Sequence, residues 1–132
     1  MFGDYEWLFA RTLADMLNAD GVEVTPYAGE LPSGDLADTS VQVLSTGGPR
    51  LNPGVATPLL AIDYRARGEA EVMALARAAD ALMLQLDDMQ PCGDGALIVA
   101  VTPANVPYLN PDPSNRDFDR ASQLVEVTVK AT

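Results

Sequence analysis

Histidine is absent from the 132 residues. That removes the commonest general acid–base group and metal ligand near neutral pH. Cysteine occurs once, as Cys92, so neither an intrachain disulfide nor a thiolate metal cluster is available. Cys92 sits in the turn-like stretch PCGDG with no histidine to activate it, and it is not expected to act as a nucleophile. Lysine also occurs once, as Lys130, and 8 basic residues face 19 acidic ones, for a formal net charge of −11. Tight nucleic-acid binding needs cationic side chains that displace counterions from phosphates, so this balance argues against it. It also argues against attraction to anionic membranes. No apolar run approaches the ~18 residues of a membrane-spanning helix. The first residues, MFGDYEWLF, carry acids where a secretory signal carries bases, so synthesis in the cytoplasm is expected.

Hydrophobic periodicity is what the chain does have. Residues 58–90 change period at Gly68. Before it, Leu60, Ile62 and Tyr64 alternate with Leu59, Asp63 and Arg65, as in a half-buried strand. After it, Val72, Leu75, Ala76, Ala79, Leu82, Met83 and Leu86 recur at helical spacing. Ala70, Ala74, Ala78 and Ala81 add a ridge of small residues. Residues 4–20 read as a second helix, with Asp4 as N-cap, Glu6 in its first turn and Gly21 just past its end. Tyr5, Leu8, Phe9, Thr12, Leu13 and Met16 form its apolar face. Trp7 falls off that stripe, and either covers the helix start or meets a partner.

Shorter alternating runs complete the chain. Residues 22–25 read as a strand stopped by Pro26, and residues 40–45 as another. Residues 96–102, ALIVAVT, read as an interior strand covered on both sides. Residues 124–130 alternate Val125, Val127 and Val129 with Glu126, Thr128 and Lys130. Residues 26–39, 46–57 and 103–122 are punctuated by proline and glycine and read as loops. The expected fold is α+β in two layers, in the order α-β-β-β-α-β-β. About five strands form one mixed or mostly antiparallel sheet with both helices on one face. The length and even composition predict one domain over residues 1–132.

Catalytic and ligand-binding patterns are not met. TGGPR, residues 46–50, lacks the GxxxxGK[ST] pattern, and no helix follows it. Asp87-Asp88 and Asp35/Asp38 are acid pairs without a shared cleft in sight. Asp112, Asn115 and Asp117 miss the calcium-loop spacing. No GxSxG motif occurs. No enzyme activity, cofactor or metal is expected. Arg65 and Arg67 end the central strand on its polar side. They pair either with Glu69 or Glu71 of the following helix, or with acids of another subunit.

Several of these features together resemble the tail-terminator (minor capsid) proteins of long-tailed bacteriophages. They are the N-terminal helix, Leu31-Pro32 in the first loop, and the strand ending in Thr46-Gly47-Gly48-Pro49. The strand closing on Arg65-Ala66-Arg67, the alanine-rich helix that starts with acids, and the final VxVxV strand after Asn115-Arg116 complete the set. The resemblance spans nearly the whole chain and includes no catalytic signature. It implies a structural virion protein that forms a hexameric ring on the tail tube, ends tube polymerisation and joins the tail to the head. Its partners would be copies of itself, the tail-tube protein and a head-completion or neck protein. DNA would pass through the lumen unread, and an acidic wall would not hold phosphates. Its place would be the virion, at the head–tail junction, after assembly in the host cytoplasm. Arg50, Arg65, Arg67, Tyr108, Asp112 and Arg116 are the expected interface residues, with the arginines facing acids of a neighbour. The alternatives are another head–tail connector, an acidic inhibitor that mimics nucleic acid, or a small ligand-binding α+β domain, which a pocket would distinguish.

Overall fold

The computed structural model describes residues 4–86, 88–89 and 96–131. Cys92, its PCGDG turn and Asp87 of the acid pair lie outside them. Helix α1, Tyr5–Ala19, begins as its sequence dictates, with Asp4 Oδ1 accepting the Trp7 N–H at 2.9 Å. Gly21, at φ 86°, supplies the left-handed turn that ends it. Leu8, Phe9, Leu13 and Leu17 are buried along one face, with Ala10 and Ala14 beside them. Helix α2, Glu69–Leu84, buries Val72, Leu75, Ala76, Ala79 and Met83, while Leu82 and Leu86 are only partly covered. The chain enters α2 through Gly68 at φ 124°, whose N–H donates to Asp119 Oδ2 at 2.9 Å.

Eight strands form one mixed sheet: β1 (Thr25–Ala28), β2 (Ser40–Ser45), β3 (Arg50–Asn52), β4 (Val55–Ala56), β5 (Leu59–Ala66), β6 (Ala96–Pro103), β7 (Tyr108–Leu109) and β8 (Asp119–Ala131). The β1–β2 pair is parallel, and the other pairs are antiparallel. β8 is the spine. Its first half lies between β5 and β7, and its second half between β4 and β6. The Val127 N–H donates to Pro58 O at 3.1 Å, which carries the β5 line past the kink at Thr57–Pro58 into β4.

Four of the five expected strands are present as β2, β5, β6 and β8; β1 shares only Thr25 with the strand expected over residues 22–25, and three strands of two or three residues join them from segments read as loops. Three expectations need correcting. Pro26 lies inside β1 instead of stopping a strand over residues 22–25. Thr25 and Gly29 donate inward to Thr39 O and Val43 O, so alternation turns the Pro26 nitrogen outward, where its missing N–H costs no ladder bond. β6 is not interior. It pairs with β8 on one side and, among the described residues, meets only an isolated bridge from Met89 to Ile98 on the other. Finally, β8 begins at Asp119 and not at Leu124. Its polar start, DRASQ, hides the strand from hydropathy, yet Ala121, Ser122 and Gln123 are buried there.

Both helices cover one sheet face. Val41, Val43, Leu60, Ile62, Tyr64, Val125, Val127 and Val129 point into that layer and join the buried residues of α1 and α2 in one core.

Candidate functional site

The other sheet face carries polar side chains in register. Ser40 stands opposite Arg65, and Arg65 opposite Arg120. In the next row, Gln42, Asp63, Ser122 and Tyr108 lie side by side across β2, β5, β8 and β7. Strand alternation puts all of them on the side away from the helices. Ser40, Gln42, Arg65 and Ser122 are nonetheless buried, with Arg65 only 3% exposed.

The arginine is enclosed by partners from three parts of the chain. Arg65 Nη1 donates to Gln42 Oε1 at 2.7 Å, and Gln42 Nε2 donates to Gly29 O at 2.7 Å. Arg65 Nη2 lies 4.0 Å from Asp63 Oδ2 and 3.8 Å from Asp112 Oδ2. Arg120 Nη1 lies 3.6 Å from the same Asp112 oxygen, and Arg120 Nε donates to Asn110 O at 2.7 Å. Ser122 Oγ donates to Asp63 Oδ1 at 2.7 Å and accepts from Asn110 Nδ2 at 2.9 Å. Arg65 Nε and Ser40 Oγ are buried without a hydrogen-bond partner. A buried cluster of this kind fixes geometry more than it adds stability. Here it ties residues 110–118 down onto the sheet.

The electrostatics follow from the contacts. Burial draws the Arg65 guanidinium below its ordinary value, while Asp63 and Asp112 oppose the shift and Arg120 adds to it. The Ser114 hydroxyl, bonded to Asp112 Oδ1 at 2.7 Å, is the main influence holding Asp112 below the usual carboxylate range. The Ser114 N–H, Arg120 and Arg65 act in the same direction, and burial acts against them. On the helix side, Tyr64 O–H donates to Gln123 Oε1 at 2.9 Å, and Gln123 Nε2 donates to Asp80 Oδ1 at 2.6 Å. Burial, and then Asp80, push the Tyr64 phenol far above its usual value.

Residues 110–118 separate two clefts. The larger, about 520 Å³, lies between this segment, the β7 edge and the start of α2, with Leu109, Pro111, Pro113 and Phe118 among its apolar walls and Glu69 and Asp119 among its acids. The second, about 410 Å³, lies toward the first loop and is lined by Leu36, Asp38, Arg67 and Phe118 among others. Among the described residues no group of three or more His, Cys, Asp or Glu is placed to hold a metal ion.

The expected interface residues divide into three sets. Arg65 and Asp112 come together inside the polar cluster, where Arg65 is buried and paired within its own chain. Its partners are Gln42, Asp63 and Asp112, and neither Glu69 nor Glu71 is among them. Arg67 and Arg116 remain at the surface on either side of Phe118. Arg67 pairs with Asp38 at 3.0 Å and stacks on the Phe118 ring at 4.6 Å. Tyr108 stands half-exposed on β7, and Arg50 lies on the exposed β3, at the far end of the sheet. Asp63, Arg120, Ser122 and Gln42 were not legible as members of a site. They come from three strands, β2, β5 and β8, and only the register unites them.

No protein-family model matches the sequence, and no curated protein matches it. Among solved structures, the chain is similar to one from a structure described as "Virion of native gene transfer agent (GTA) particle". The TM-score is 0.63 and the identity 17%, over 98% of this chain and 96% of that one. At that identity the likeness is one of fold. It runs over almost the full length of both chains, so it takes in the sheet, both helices and the segments that form the two clefts.

Proposed function

We propose that this chain is a structural virion protein that caps a phage-type tail tube as a ring, ends tube polymerisation and joins the tail to the head. The observation that carries the reading is the nearly end-to-end fold likeness to a chain of a gene transfer agent virion. The site chemistry agrees with it. The buried polar cluster fixes a surface segment in place, which suits a structural role. Arg67, Arg116, Tyr108 and Arg50 stand at the surface as candidate contacts to other subunits, and the acidity of the chain suits a lumen through which DNA slides.

Native mass of the purified protein, alone and with tail-tube protein, tests the reading. With tube present, an assembly of roughly six times 14.0 kDa is expected, as for a closed cyclic oligomer. Tubes of limited length should bear it at one end. A neck or head-completion protein is the second reading, favoured by the same fold likeness. Binding to head-completion protein with no effect on tube length would select it and reject the cap.

A further inference from the structure

The sheet face away from the helices continues past the polar cluster. Its next row is apolar, with Leu44, Ala61 and Leu124 side by side across β2, β5 and β8. Alternation along β8 then brings Glu126, Thr128 and Lys130 to the same face. Glu126 stands between Leu59 and Thr102, and Lys130 between Val55 and Leu97. Leu124, Glu126 and Lys130 are exposed, and among the described residues no helix covers them. Asp63, Arg65 and Arg120 are matched within the cluster, through Asp112. Glu126 and Lys130 are therefore the remaining charges on this face of β2, β5, β6 and β8.

The outward side of α2 carries a matching set. At about 3.6 residues per turn, Ala70, Ala74, Arg77, Ala81 and Leu84 share one stripe, with Glu71 on its flank. All six are exposed. Glu69 and Asp80 fall on the other flank, and Asp80 is already bonded to Gln123. No ion pair among the described residues uses Glu71, Arg77, Glu126 or Lys130. Counting from Leu84, Arg77 lies about 10 Å and Glu71 about 20 Å along the helix. Counting from Leu124, Glu126 lies about 7 Å and Lys130 about 20 Å along β8. Laid antiparallel to β8, the helix sets Leu84 on Leu124, Arg77 by Glu126 and Glu71 by Lys130. Laid the other way, Glu71 falls on the apolar row and Lys130 meets Leu84. The two surfaces lie on opposite sides of the layers, so one chain cannot join them. Resting on the ring reading above, we infer that α2 of one copy packs on the open sheet face of the next, antiparallel to its β8. The contact is head-to-tail, and it closes into a ring when its rotation allows.

Charge reversal tests the contact, read by native mass with tail-tube protein. Arg77→Glu alone and Glu126→Arg alone each place like charges together and should cut ring yield by about tenfold or more. The double variant should recover it. An equal mixture of the two single variants should also recover it, because alternating copies restore opposite charges at every junction. A variant that was merely destabilised would not recover in the mixture. Rings that form as well in both single variants as in the parent would overturn the docking and leave the ring reading standing. So would a loss that neither the double variant nor the mixture repairs. If the parent itself forms no ring, the ring reading falls, and a thiol cross-linker decides the docking. In a Cys92→Ser background, Leu84→Cys and Leu124→Cys in one chain should then link copies into a ladder. Links would uphold the docking without the ring, and their absence would overturn the two together.

Discussion

Arg65 shows how far one residue's role depends on its neighbours. A surface arginine in an ion pair contributes about 0–1 kcal/mol to folding. This one is 3% exposed and bound to Gln42, Asp63 and Asp112. Arg65→Glu therefore leaves buried carboxylates facing each other and should cost about 3–5 kcal/mol in urea unfolding, as breaking buried pairs does. Asp112 adds a pH dependence. Its folded pKa is depressed, so its contribution is present above the unfolded value and is lost as pH falls through the folded one. Asp112→Asn should melt below the parent at about pH 6, and the gap should close at acid pH below ~3.9. Gly48 is constrained differently. A Cβ built there would sit 2.6 Å from Thr57 O and 2.7 Å from Pro58 Cα, both backbone atoms. Gly48→Ala should destabilise by about 1–3 kcal/mol, the usual cost of forcing an extra carbon into a packed place. Denaturant midpoints of Gly48→Ala and Gly54→Ala separate the effect, since at Gly54 the nearest atom is a side-chain oxygen at 3.5 Å.

The helices behave as their periodicity says, and the strands only in part. On α2, Leu75 is 2% exposed, whereas Leu82 is partly covered. Leu75→Ala should cost about 2–5 kcal/mol and Leu82→Ala clearly less, measured by thermal or urea unfolding. Equal melting of both variants with the parent would place this face outside the core. Among the strands, β2 and β5 announce themselves by alternation and apolar content. The start of β8 does not. Ser122 and Gln123 are polar, and their hydrogen bonds go to Asp63 on β5, Asp80 on α2, and Asn105 and Asn110 between the strands. β3, β4 and β7 are too short to carry a period, and each exists because β8 or its neighbour offers a free ladder edge.

For the whole molecule, charge and shape act together in assembly. Arg67 and Arg116 lie at the surface beside the clefts in a chain of net charge −11. Reversing both to glutamate should weaken ring formation with tail-tube protein and change monomer unfolding by no more than about 1 kcal/mol, because exposed ion pairs add little to folding. Native mass and urea unfolding read the two effects separately; a monomer that unfolds would show that the Arg67 contacts with Asp38 and Phe118 are structural. The sequence by itself determined the two helices, four of the five longer strands and the α+β class. Those follow from period, capping and turn residues, which act over a few positions. It also made metal and thiol chemistry poor readings, since histidine is missing and there is one cysteine. Only the tertiary structure decided that Arg65 is interior and Arg67 exterior, that β8 is the spine, and that Gln42, Asp63, Asp112, Arg120 and Ser122 form one cluster. These are consequences of strand register, which joins residues as far apart as Asp63 and Ser122 and leaves no local mark at either.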